Sequence, residues 1–216
     1  ETAEATAIAA CASSTAMAAG LAQAATRTQA FSRVDFDLPD AQWTRLFNIW
    51  TKQQLFLLKD YARIFLIGFR DTLQDAQSLC AYAPAWAKTS IRRALEHQYR
   101  DGSAMRGWCP DDNHKYGDSG IWLPLALAEY LRETGDKSFF SESVAYREGG
   151  SDTVWAHAVQ SMNWFFANLG DHGLPKLYFG DWNDSLNIGR GGKGESVWLG
   201  MALLLVIIAG SLYIER

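Results

Sequence analysis

Residues 116–136 read YGDSGIWLPLALAEYLRETGD and contain the two kinds of segment that recur along this chain. The first is a glycine-rich turn in which an acid, Asp118, stands between an aromatic residue and an indole. The second is an apolar helix, predicted over residues 121–133, with Gly135 in the stop signal that follows it. A loop with polar chemistry followed directly by a helix is therefore the local unit that we expect in this fold.

The same unit recurs downstream. Residues 153–169 have the pattern of another helix, closed by Gly170, and a loop over residues 173–195 then leads into an apolar run. Strand signals are few. Because an alternation of helices and functional loops is typical of a toroid whose paired helices bring successive loops to one end, we predict an all-α fold.

Helices are also predicted before this segment. Residues 5–26 are rich in alanine, and Asp40 is placed to cap the helix that follows it. A further helical pattern covers residues 76–93, with a break at Pro84, a residue favoured in the first turn of a helix. The passage 100–120 is instead a long polar loop, of the kind that often carries function.

Three loop motifs combine a carboxylate with hydrogen-bond donors and an aromatic ring. They are Gly68-Phe69-Arg70-Asp71 with Gln74-Asp75, Tyr116-Gly117-Asp118, and Gly180-Asp181-Trp182-Asn183-Asp184. This mixture can satisfy sugar hydroxyls while a flat ring packs on the sugar, so carbohydrate chemistry is the first hypothesis. Structural alternatives stay open. An ion pair at a helix start would explain Arg70 and Asp71. A helix cap would explain Asp118, and braced turns would explain Asp181 and Asp184.

Composition argues against several classes of function. The formal net charge of −4 and the scattered lysines and arginines give no basic footprint for a nucleic acid. Cys11, Cys80 and Cys109 are odd in number and widely spaced, so we predict neither a disulfide framework nor a zinc cluster, and a reducing, cytoplasmic compartment is favoured. The histidines lack helical metal-ligand spacing, and no metal is predicted.

Residues 196–214 form an almost charge-free apolar run. Its length is about that of a bilayer span, and the rival interpretation is a helix buried on all sides within a helical domain. In an all-α toroid the buried helix is favoured, so a membrane is not expected as a partner.

Five motifs follow one another along the chain. They are GFRD-x-x-QD at 68–75, DSGIWL at 118–123 with EYLRETGD at 129–136, HGLP at 172–175, GDWNDSLN at 180–187 and GESVW at 194–198. In this order they resemble the inverting disaccharide phosphorylases of glycoside hydrolase family 94. That family includes cellobiose, chitobiose and cellodextrin phosphorylases and the phosphorylase-like domain of cyclic β-1,2-glucan synthases. The combination is far more specific than one motif alone.

The resemblance implies a fold. Residues 39–216 would be the first half of an (α/α)6 barrel catalytic domain, and residues 1–38 would be the helical linker that follows an upstream β-sandwich. The chain is therefore expected to be a fragment, and the run at 196–214 is expected to be a buried barrel helix. Family members are commonly homodimers, so the resemblance implies a homodimer for the full-length protein.

The resemblance also implies roles for individual residues. Asp118 matches the family's general acid. The candidates for substrate binding are Arg70, Asp71, Tyr116, Asp181 and Asp184. One acid suffices because inorganic phosphate, the co-substrate, is already an anionic nucleophile. Attack from the opposite face would convert a β-linked gluco-disaccharide or oligosaccharide into an α-sugar 1-phosphate. No cofactor is implied.

The phosphate site is where the chain departs from the family pattern. The basic residue expected ahead of the Gly-Phe-Arg-Asp motif is represented by Arg63, whose register is shifted. The family's other phosphate-binding groups, a histidine and a threonine-glycine pair, are expected beyond residue 216. The chain in isolation is therefore expected to be inactive.

Two alternatives remain at this point. An (α/α)6 glycoside hydrolase would use water and would need a base across the sugar from the acid. The candidates for that base are Asp71, Asp181 and Asp184. A non-catalytic carbohydrate-binding fragment would keep the sugar contacts without the reaction, and half a toroid would leave apolar helix faces uncovered.

Overall fold

The computed structural model describes Thr6 and residues 13–31, 34–60, 66–185 and 189–214. The chain divides into two compact units, residues 1–60 and residues 61–216. The described elements are mostly helical, which agrees with the predicted all-α class, and each strand is two or three residues long. The domain boundary expected between residues 38 and 39 stays a prediction.

The first unit is helical. It contains α1 (Ser14–Phe31), α2 (Ala41–Arg45), a π-helical segment (Leu46–Thr51) and α3 (Lys52–Asp60). The Asp40 carboxylate caps α2 because it accepts the backbone N–H groups of Gln42 and Trp43 over 2.7 and 3.3 Å. The predicted cap and the helix after it are therefore confirmed, with a π-helical segment inside that helix.

The second unit opens with a strand and a pair of helices. Its first elements are β1 (Ile67–Gly68), α4 (Phe69–Tyr82), α5 (Pro84–Leu95) and β2 (Gly107–Trp108). Strands β1 and β2 pair antiparallel. Pro84 stands in the first turn of α5, as predicted. Helix α4 begins earlier than the predicted residue 76, so the motif with Arg70 and Asp71 is the first turn of a helix and not a loop. The polar residues of this turn concealed the helical spacing of Phe69 and Leu73, which are both buried.

The remaining elements alternate with loops. They are 3₁₀ turns at Ser119–Ile121 and Lys137–Ser141, α6 (Trp122–Thr134), the antiparallel strands β3 (Ser143–Ala145) and β4 (Ser151–Thr153), α7 (Val154–Ala167) and α8 (Val197–Ile214). Helix α6 ends at Gly135, whose φ of 66° lies in the left-handed region that glycine tolerates, as predicted. Helix α7 ends before the predicted stop at Gly170, because Asn168 has already left helical geometry with a φ of −120°.

The core of the second unit has two parts. Helix α4 packs against α5 and α6 through apolar residues at helical spacing. A second cluster joins the start of α6 to α7 and α8 through Ile121, Trp164, Phe165, Leu199 and Leu203. Ile121, in the turn that follows Asp118, belongs to the second of these parts.

Helix α8 has one buried face and one exposed face over its described side chains. Leu199 and Leu203 are buried, whereas Met201, Leu204 and Leu205 are each more than half exposed. An uncovered apolar face is what we expect of half a toroid, and burial of this helix within a complete barrel stays a prediction. No helix within the described ranges has the length and apolar character that crossing a membrane demands.

Candidate active site

Arg70, in the first turn of α4, connects that helix to two loops of the second unit. Its Nη1 donates to Oδ2 of Asp118 over 3.1 Å and to the main-chain carbonyl of Asp181 over 3.0 Å. Its Nη2 lies 3.0 Å from each carboxylate oxygen of Asp184. Burial lowers the pKa of Arg70, but the charges of Asp118 and Asp184 outweigh burial and raise that pKa above its ordinary value. Residues from three distant motifs thus meet at one guanidinium.

Asp118 is buried, with 1% of its surface exposed. Its Oδ2 accepts hydrogen bonds from Arg70 and from Nε1 of Trp122, the latter over 3.0 Å. Burial raises the pKa of Asp118, while Arg70 and Trp122 favour the charged form. The side chain makes no capping hydrogen bond at the start of the 3₁₀ turn, so a helix cap does not explain this residue.

The two oxygens of the Asp118 carboxyl have different surroundings. Oδ2 faces two N–H donors, whereas Oδ1 is buried and has no hydrogen-bond partner among the groups that the structure describes. A proton on Oδ2 would compete with both donors, so Oδ1 is the favoured site of protonation. A carboxyl of this kind can donate a proton from a defined oxygen.

Pairing between two loops places Asp118. The backbone N–H of Gly117 donates to the carbonyl of Gly180 over 2.9 Å. A Cβ atom at Gly117 would lie 2.5 Å from the carbonyl oxygen of Lys176, which is closer than real Cβ atoms approach. The glycine before the acid is therefore needed for the close approach of the two loops.

The turn at residues 181–184 binds Arg70 and is itself held by other groups. Asp181 is 3% exposed, its Oδ1 accepts the N–H of Asn183 over 3.0 Å, and its Oδ2 accepts the hydroxyl of Ser196 over 2.6 Å. Protein groups therefore engage both carboxylate oxygens of Asp181, which favours the bracing alternative for this residue. Asp184 is about half exposed, and its carboxylate pairs with Arg70.

A cleft of 440 Å³ lies beside these residues. Its lining residues are Arg70, Asp71, Gln74, Trp122, Trp182 and Trp198. The ring centroids of Trp122 and Trp198 are 5.7 Å apart, and those of Trp182 and Trp198 are 6.5 Å apart. A cleft that combines three indoles with a guanidinium, a carboxylate and an amide has both the flat apolar faces and the polar groups that a sugar ring requires.

Tyr116 lies outside this set of lining residues. Its ring stacks with that of Phe179 at a centroid distance of 6.3 Å, and the guanidinium of Arg106 lies 4.7 Å from its centroid. Burial tends to raise the pKa of Asp112, but hydrogen bonds from His114 and Arg106 lower it to about 2. The guanidinium of Arg106 therefore contacts both the ring of Tyr116 and the charged carboxylate of Asp112.

Sequence reasoning missed two contacts in this site. Trp122 packs against the apolar cluster at the start of α6, and it also donates to Asp118 and lines the cleft. The four-residue spacing from Asp118 was the available signal, because residues so spaced at a helical start lie on one face. Ser196 had no comparable signal, since its partner Asp181 lies on another segment.

Arg63, the predicted phosphate contact, lies outside the described residues. Within those residues, no group of three or more His, Cys, Asp or Glu side chains is arranged to hold a metal ion.

Comparison with known proteins provides independent evidence of ancestry. A model of the Glycosyl hydrolase 94 superfamily, catalytic domain, matches residues 28–214. Solabiose phosphorylase from Paenibacillus borealis is 46% identical over 166 residues, which cover 76% of this chain and 22% of that protein. Cyclic beta-(1,2)-glucan synthase NdvB from Rhizobium meliloti (strain 1021) is 30% identical over 199 residues, 79% of this chain and 7% of that protein.

Cellobionic acid phosphorylase from Neurospora crassa is 28% identical over 176 residues, which cover 77% of this chain and 22% of that protein. The chain thus spans 22% or less of the length of these relatives. The family model covers most of the chain, from residue 28 to residue 214. The chain therefore belongs to the glycosyl hydrolase 94 superfamily, through the catalytic domain of that family.

Proposed function

We propose that the protein carrying this chain is an inverting glycoside phosphorylase and that Asp118 is its general acid. The observation that carries the proposal is the carboxyl of Asp118, which is buried, anchored through Oδ2 by two donors and unpartnered at Oδ1 within the described residues. Relatives named as phosphorylases support the class of reaction. The substrate is a β-linked gluco-disaccharide or oligosaccharide.

In the proposed reaction, the Oδ1 proton of Asp118 passes to the glycosidic oxygen as the bond between that oxygen and the anomeric carbon breaks. Inorganic phosphate attacks the anomeric carbon from the opposite face, and its oxygen forms the new bond. The products are an α-sugar 1-phosphate and the freed acceptor sugar. Asp118 is left as a carboxylate, which Arg70 and Trp122 stabilise through Oδ2.

The sugar whose bond is cleaved binds in the cleft beside Arg70 and Asp71. Arg70 supplies a donor, Asp71 an acceptor, and the indoles supply flat faces. Tyr116 flanks this subsite from the loop before Asp118. Asp184 contributes indirectly, because its ion pair with Arg70 orients that guanidinium.

Oδ1 of Asp118 has almost no surface open to solvent. A glycosidic oxygen can reach it only when neighbouring side chains shift or the carboxyl turns. Substrate binding must therefore open a path to the acid. Until the sugar arrives, the burial of Oδ1 keeps water away from the acid.

The hydrolase alternative is less well supported. It needs a carboxylate that is free to activate water, yet the oxygens of Asp181 are engaged by protein groups and those of Asp184 face Arg70. Asp71 is the candidate base that lines the cleft. Phosphorolysis needs no such base, because phosphate is already nucleophilic.

The test is the dependence of the reaction on phosphate. The full-length protein is incubated with β-linked glucose disaccharides in the presence and absence of inorganic phosphate, and phosphorus NMR follows the formation of α-sugar 1-phosphate. We expect α-sugar 1-phosphate to form when phosphate is supplied. Release of free sugar at the same rate without phosphate would refute phosphorolysis and favour the hydrolase.

A further inference from the structure

We infer that Ser196 is a positioning residue of this site: its hydroxyl fixes the turn at residues 181–184, and that turn holds Arg70 against Asp118. The inference deepens the proposed function, because it rests on Asp118 as the acid. Ser196 contacts neither the cleft residues nor Asp118 in the described hydrogen bonds, so it acts through Asp181.

Ser196 is buried, with 5% of its surface exposed, and it immediately precedes α8. Its hydroxyl donates to Oδ2 of Asp181 over 2.6 Å and accepts the backbone N–H of Leu199 over 3.1 Å. A serine hydroxyl has a single hydrogen, and here that hydrogen is committed to Asp181. The backbone N–H of Ser196 donates to the carbonyl of Pro175 over 2.9 Å, so the main chain at this point is also held.

Asp181 passes this constraint to Arg70 in two ways. Its Oδ1 accepts the N–H of Asn183, which closes the turn, and its main-chain carbonyl accepts Nη1 of Arg70 over 3.0 Å. The closed turn also places Asp184, whose carboxylate faces Nη2 of Arg70. The same Nη1 that binds the carbonyl of Asp181 donates to Asp118.

Loss of the hydroxyl would disturb this arrangement for a physical reason. Asp181 is 3% exposed, and without Ser196 its Oδ2 would be left buried with an unpaired charge. The carboxylate would turn toward water, and the turn would move with it. Arg70 would then lose a fixed acceptor, and Asp118 would lose part of the positive charge that orients it.

The test compares Ser196→Ala with a matched control, Thr153→Ala. Thr153 caps α7 by accepting the N–H of Ala156 over 3.1 Å, so its removal costs a helix cap without touching the Arg70 cluster. Two readouts are taken on the full-length protein. The first is kcat and KM for phosphate-dependent turnover, and the second is the pKa of Asp118, followed by carbon NMR of its carboxyl and assigned with Asp118→Asn.

For Ser196→Ala we expect kcat to fall by about 10- to 100-fold with KM changed much less, because the acid is misplaced and not the sugar. The pKa of Asp118 should rise, since a loosened Arg70 favours the carboxylate less. Thr153→Ala should leave both readouts at their wild-type values. Ser196→Thr, which keeps a hydroxyl, should restore most of kcat.

If Ser196→Ala does not fold, Ser196→Gly replaces it, because glycine is well tolerated at the start of a helix and also lacks the hydroxyl. The positioning role would be overturned if the Ser196 variant changed kcat no more than Thr153→Ala does and left the pKa of Asp118 unchanged. The NMR readout does not require turnover. Suppose that the pKa of Asp118 rises in Ser196→Ala while the wild-type protein forms no phosphate-dependent product. That result would refute the proposed function and leave the positioning role of Ser196 standing.

Discussion

Trp122 donates its indole N–H to Oδ2 of Asp118 over 3.0 Å, and the two residues are four positions apart in the chain. Trp122 also lines the cleft, so an indole of the cleft contacts the acid directly. The hydrogen bond favours the carboxylate form of Asp118 and so opposes the effect of burial on its pKa.

Trp122→Phe should therefore raise the pKa of Asp118 while it keeps an aromatic ring in the cleft. A general acid works in its protonated form, so activity is lost as pH rises through that pKa. The basic limb of the profile of kcat/KM against pH should move to higher pH in the variant. Trp198→Phe, in the same cleft, is the control and should leave that limb in place. A shift to lower pH in Trp122→Phe would contradict this account of the contact.

Asp118→Asn removes the proton donor and keeps the shape of the side chain. We expect phosphorolysis to fall by about 10²- to 10⁴-fold, the usual contribution of general acid catalysis, while sugar affinity stays close to wild type. Turnover is measured by phosphorus NMR and sugar binding by calorimetry. Asp152→Asn, on exposed strand β4, is the matched control. Turnover retained by Asp118→Asn would remove this residue from the role of acid.

Arg70→Ala should destabilise the fold, because it leaves the buried Asp118 carboxyl without its positive partner. Breaking a buried ion pair in this way costs roughly 3–5 kcal/mol in the free energy of unfolding. Urea denaturation of Arg70→Ala, Asp118→Asn and the double variant completes a mutant cycle. The double variant should be more stable than Arg70→Ala alone, since no unpaired carboxyl remains at residue 118. Additive losses would show that the two side chains are not coupled.

Gly117→Ala tests the approach of the two loops that place the acid. The new methyl group would meet the carbonyl of Lys176, so we expect a loss of about 1–3 kcal/mol in stability and a loss of turnover. Gly191→Ala is the control, because nothing lies within 4 Å of a Cβ at that position. Its effect on stability should stay within about 0.5 kcal/mol. Equal unfolding midpoints for the two variants would argue against the close contact.

His157 gives a pH dependence of stability that is independent of catalysis. Its ring is buried between the Oε1 of Gln98, 2.6 Å from Nδ1, and the carbonyl of Val144, 3.1 Å from Nε2. Burial lowers its pKa in the folded state. Below an ordinary histidine pKa of about 6.5 the unfolded chain takes up a proton that the folded chain does not, so stability contributed by this group is lost as pH falls.

The His157→Gln variant should therefore lose less stability between neutral and mildly acidic pH than the wild type does, although it is less stable at neutral pH. Urea unfolding at several pH values measures both quantities. The sign would be reversed if His157 were stabilised as an imidazolium, and the variant would then show the steeper loss.

The helices were predictable to the extent that their signals are local. Asp40 as a cap, Pro84 in a first turn and Gly135 as a stop each depend on backbone groups a few residues away, and each was confirmed. The start of α4 was missed because the polar residues of its first turn hide the apolar spacing of Phe69 and Leu73. Tertiary packing decided that boundary.

The candidate site shows the same division. The sequence by itself determined the family and the candidate site residues, because the acid, the arginine and the glycine-rich turns stand in recognisable motifs. Only the tertiary structure decided how they meet. Arg70 is separated by 48 residues from Asp118 and by 114 residues from Asp184, and no local periodicity relates them. Contacts with Ser196 and Arg70 turned Asp181 into a brace, because hydrogen bonds between separate segments exist only after the chain has folded.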